Sequence, residues 1–144
     1  MIRRYPNWQT LLSDYIVAHA QTRFSYAGFD CGLFAAGAIE TMTGVDLAAP
    51  LRGRYTSRRE AYQAIQELCG TATMEAVAGY LTDRHNISRV PVLCAHRGDL
   101  VVLRSGRRSS LGIMDLVPGY ILTPYREGLL RLPLSHATTT YHIG

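Results

Sequence analysis

Asp99-Leu100-Val101-Val102-Leu103-Arg104 is the stretch on which the fold class turns. Its apolar run is too short for a helix, rich in valine, and closed at once by the turn pair Ser105-Gly106, which predicts a buried strand. The same reading carries outward. Ser110–Val117 and Tyr120–Thr123 flank Pro118-Gly119, Leu129–Leu134 follows Glu127-Gly128, and Thr139–Ile143 supplies a last strand. Short strands joined by tight turns predict an antiparallel meander.

Before Pro91 the period is helical. Asn7 stands where it can cap a helix bearing Trp8, Leu11, Leu12, Tyr15 and Ile16. Asp30 can cap a second helix, through Leu33, Phe34, Ala38 and Met42 to a stop at Gly44. Ser57-Arg58-Arg59-Glu60 has the form of a capping box for a third, ending near Cys69-Gly70, and Met74, Val77, Tyr80 and Leu81 mark a fourth. Helices over about 7–84 followed by strands over about 97–144 predict one α+β domain spanning 1–144, N-terminal helices packed on a C-terminal antiparallel sheet.

Composition narrows the function classes. With 47% apolar and 18% charged residues the chain is not of the disordered type. No stretch approaches the ~20 apolar residues of a membrane span, and no apolar core follows Arg3-Arg4, so neither a span nor a secretory leader is expected. The net charge of +4 is carried by arginine alone, in clusters at Arg52, Arg54, Arg58 and Arg59 and at Arg104, Arg107 and Arg108. Without interleaved aromatics these read as solvated turns rather than a nucleic-acid platform. Cys31, Cys69 and Cys94 form no disulfide framework, and the five histidines include no closely spaced pair, so neither a metal nor a cofactor is expected. Asp46 and Asp99 read as turn and strand-start stabilisers, Trp8 as a core anchor, and His19 as the exposed end of the first helix.

Cys31 is the residue with chemical promise. Directly after Asp30 it falls in the first turn of the second helix, where unpaired amides and the helix dipole favour thiolate. Asp30 opposes this, since a neighbouring negative charge raises a thiol's pKa. Taken alone, such a cysteine is more often a small core residue than a nucleophile.

Phe24-Ser-Tyr-Ala-Gly-Phe-Asp30-Cys31-Gly-Leu-Phe34 resembles the aromatic-Gly-x-x-Asp-Cys-x-x-Phe signature of NlpC-type, papain-like cell-wall hydrolases. Gly98-Asp99-Leu100 resembles a strand start of the same superfamily, and Ser110-Leu111-Gly112-Ile113 stands where those enzymes have His-Val-Gly-Ile. Thr43-Gly-Val-Asp46, Arg52-Gly-Arg-Tyr55 and Tyr141-His-Ile-Gly144 are similar to a phage-encoded branch found among tail genes. The resemblance implies a papain-like fold with Cys31 at the nucleophile position and Ser110 in place of the base histidine. It departs from the family pattern also at Tyr26-Ala27, usually Trp-Gly. A hydroxyl cannot hold a proton near neutral pH, so Ser110 cannot act as the base. His142 and His136, on the last strands, are the alternative bases, whereas His96 is expected at the wrong end of its strand.

What this implies is a structural component of a bacteriophage tail tip or baseplate, made in the host cytoplasm and carried in the virion. Its expected partners are other tail proteins in a ring or hub, and its catalytic site is expected to be inactive. The alternative is a cysteine amidase or endopeptidase that acts on peptidoglycan as the genome enters the cell. A third reading is an assembly factor that departs once the tail is built.

Overall fold

The computed structural model describes residues 2–144. Four helices come first, α1 (Trp8–His19), α2 (Cys31–Thr43), α3 (Arg58–Cys69) and α4 (Met74–Asp83). Six strands follow: β1 (Arg89–Val90), β2 (Leu100–Ser105), β3 (Arg108–Met114), β4 (Tyr120–Tyr125), β5 (Gly128–Pro133) and β6 (Ala137–Tyr141). They form one antiparallel sheet in the order β1-β6-β2-β3-β4-β5. The expected α+β class, helices first and antiparallel sheet second, is what the chain adopts. Among the described residues no helix is long and apolar enough to cross a membrane.

The caps explain where the helices begin. Asp30 accepts from Leu33 N at 2.9 Å, Ser57 from Glu60 N at 3.2 Å and Thr73 from Ala76 N at 3.1 Å. Each bond satisfies one amide the first turn leaves free. Asn7 holds the corresponding position before α1, but its side chain makes no cap bond. Gly44 ends α2 with φ 78°, a conformation that favours glycine.

α2 is the central helix. Phe34, Ala38, Ile39 and Met42 are fully buried among α1, β3 and β4. Burial of Phe34 alone contributes about 1.5–3 kcal/mol. Gly37 is required by close approach: a Cβ there would lie 2.4 Å from the Tyr15 hydroxyl, which donates to Phe34 O at 2.9 Å.

The link from β5 to β6 dictates the shape of the sheet. In a flat sheet these strands would stand about 19 Å apart, four strand spacings of ~4.8 Å. Only Leu134–His136 separates them, and so short a link reaches ~14 Å at most. The sheet therefore curls. Leu100, Val102, Leu111, Ile113 and Leu122 face the helices, while Val101, Leu103, Met114 and Ile121 pack inside the curl with Leu132 and Leu134.

Strand boundaries differ from expectation, by one or two residues at most ends of β2, β4, β5 and β6 and by more in β3. β3 runs from Arg108 to Met114 rather than Ser110–Val117, because the chain turns at Asp115, whose amide donates to Tyr120 O at 2.9 Å. β6 starts and stops two residues early, and β1 was not foreseen.

Candidate functional site

The loop before α2 is set by hydrogen bonds. Ser25 and Phe29 bridge across it, and the buried Asp30 carboxylate gathers Leu33 N, Ala27 N at 3.2 Å and the Tyr55 hydroxyl at 2.5 Å. Burial, reinforced by the bond to Asp30, pushes the Tyr55 phenol well above its usual range. Asp46 accepts from Ala48 N at 3.0 Å and pairs with Arg52 through two bonds of 2.5 and 3.1 Å. The turn role read for Asp46 is thus observed. A cleft of about 250 Å³ opens beside the start of α2, lined by Ala27, Leu33, Arg52 and Tyr55 among others.

Ala27 sits in this loop with φ 66°. A Cβ in that region costs roughly 1–2 kcal/mol, and glycine avoids the clash at some entropic cost. Ala27→Gly is therefore expected to raise stability by about 0.5–1 kcal/mol in urea unfolding. A loss of stability would show that the loop does not hold this conformation.

Cys31 occupies the first helical position and packs against the main core. Burial is the chief influence on its thiol and pushes it up to about 11. Amides of Leu111 and Gly32 pull the other way, Asp30 adds to the rise, and Arg108 lowers it slightly. No histidine is among these influences. The residue as a whole is only half-buried, yet its sulfur behaves as a dehydrated group. At neutral pH it is a thiol, not a thiolate.

Ser110 does not face Cys31. It pairs with Leu103, whose side chain lies inside the curl, and the adjoining Leu111 points to the helices, 4.0 Å from where a Cβ on Gly32 would be. Neighbours on a strand point to opposite faces. Ser110 instead lines a separate cleft of about 260 Å³ with Leu103, Thr123, Leu130 and Leu132.

The alternative bases are also held elsewhere. The half-buried His136 bonds through Nδ1 to Arg104 O at 2.9 Å. It stands on the β6 side of β2, about 10 Å, or two strand spacings, from β3. His142 lies 3.2 Å from Asp99 at the opposite end of β2 from Ser110. His19, expected at an exposed helix end, is half-buried, stacked on Phe29 at 4.9 Å and tilted against Tyr15 at 4.5 Å.

Asp99 organises a second constellation. Its fully buried carboxylate accepts from Arg4 at 2.9 Å, Ile143 N at 3.0 Å and His96 N at 2.8 Å. Arg4 also donates to Ile143 O and Arg97 O, at 2.5 and 2.7 Å, and stacks 4.1 Å over Trp8. Burial pulls its guanidinium below the usual value, and Asp99 offsets part of that. The strand-start role read for Asp99 holds, but the ion pair and the meeting of His96 with His142 were not legible. The rings of those two histidines stand 5.7 Å apart. Only the pairing of β6 with β2 brings these distant parts of the chain together.

Fold and site together define an α+β domain with a half-buried cysteine at a helix start. The chain belongs to the family described as Domain of unknown function (DUF6950), whose sequence model matches residues 3–143. No curated protein matches the chain.

Proposed function

We propose that this protein is a structural component of a bacteriophage tail tip or baseplate, an NlpC-like domain without hydrolytic activity. The observation that carries the inactive half is geometric: Ser110 lies on the face of β3 opposite Leu111, and His136 and His142 are bonded elsewhere, while burial pushes the Cys31 thiol up. Amide or peptide hydrolysis by cysteine needs a base to take the thiol proton and return it to the leaving amine. Ser110, His136 and His142 are all placed away from that task. The tail setting rests on the resemblance of the Asp30-Cys31, Thr43–Asp46 and Arg52–Tyr55 motifs to a phage tail-associated branch. Those motifs converge here on a scaffold of Asp30, Asp46, Arg52 and Tyr55. The intact scaffold around an inactive centre suits a domain used for its surfaces.

The test is purification of assembled tails from a phage that encodes the chain. The protein is expected in them at fixed stoichiometry, and its absence from mature virions would count against the proposal. Clearing of peptidoglycan by the isolated protein, abolished by Cys31→Ala, would establish the hydrolase instead.

A further inference from the structure

We infer that His96, Asp99 and His142 form a binding site for a divalent transition-metal ion of the zinc or cobalt type. One donor atom from each lies within 4.8 Å of the others. His142 Nδ1 lies 3.2 Å from Asp99 Oδ1, which seats that imidazole against the carboxylate. The His96 ring is exposed on the loop before β2, its centroid 5.7 Å from that of His142. Two imidazoles and one carboxylate suit a borderline metal, whereas magnesium and calcium prefer oxygen donors.

The surroundings favour the site on two counts and oppose it on one. Asp99 is fully buried and oriented by Ile143 N and His96 N, as carboxylate ligands are when held by outer-shell bonds. The two imidazoles are solvent-exposed, which leaves an approach for the ion and a place for water as a further ligand. Against this, Arg4 already pairs with Asp99 Oδ1. Asp99 Oδ2 accepts only the His96 amide among the described residues and keeps a lone pair for the ion. The Arg4 charge repels a dication, so binding is weaker than at a structural zinc site. The site is independent of Cys31 and of the tail assignment.

The experiment uses the untagged full chain, titrated with ZnCl2 by calorimetry and followed by thermal melting. Binding of one equivalent is expected, with a rise in melting temperature that EDTA reverses. His96→Ala and His142→Ala, each altering an exposed ring, are expected to weaken binding at least ~10-fold. His136→Ala and Cys94→Ser are expected to leave it unchanged. Cobalt substitution adds a second readout: weak visible bands of nitrogen and oxygen ligation are expected. Intense near-ultraviolet thiolate bands would place the ion on a cysteine and overturn the inference. So would failure to bind at ~1 mM zinc, or affinity unaltered in both histidine variants.

Discussion

Asp99→Ala is expected to destabilise the protein by about 3–5 kcal/mol, the range for removing one partner of a buried ion pair. The carboxylate is fully buried and answers Arg4, two backbone amides and His142 together. Removing it strands the Arg4 guanidinium, whose side chain is only 11% exposed, beside Arg97. Such a loss is a large fraction of the ~5–15 kcal/mol a domain of this kind possesses. Equilibrium unfolding in urea measures it, and a change below about 1 kcal/mol would show that the Arg4 network is not fixed in solution. Asp99→Asn keeps an acceptor for Ile143 and is expected to recover part of the loss.

Alkylation separates the cysteines by an even larger factor. At pH 8 a thiol held at about 11 is ionised in about one part per thousand, against about a quarter for an unperturbed thiol near ~8.5. Cys31 is thus expected to react at least ~100-fold more slowly than a free thiol, while the exposed Cys94 is labelled readily. Because thiolate is the reactive form, the Cys31 rate climbs with pH until it approaches 11. Mass analysis of peptides after iodoacetamide treatment across pH 5–9 reads both sites. Rapid modification of Cys31 below pH 7 would mean an activated thiolate and would restore the hydrolase reading.

The parts of the fold legible in the sequence are those with local causes. Asp30 and Ser57 cap their own helices, and Ser105-Gly106 and Pro118-Gly119 turn the chain within a few residues. The end of β3 misled because Leu116 and Val117 keep the strand-like composition after Asp115 has begun the turn. β1 has two residues and exists only by pairing with Thr140 and Tyr141, so no local pattern announces it. In the site, the helix-start position of Cys31 followed from Asp30, and its protonation did not, because burial is a property of the assembled core. The resemblance that set Ser110 at an expected base position carried no information on the face it takes. The face is set by pleat and register, with Leu111 toward the helices and Leu103 across from Ser110.

The bond from Arg4 to Ile143 joins positions 139 residues apart. A loop of that length closes late in folding, after the hairpins of the meander have formed, because its entropy cost is met only once those shorter loops exist. Contacts absent from the rate-limiting barrier act on escape from the native state rather than on arrival at it. The Arg4 clasp therefore governs how long a folded molecule persists, and hardly at all how fast it is made.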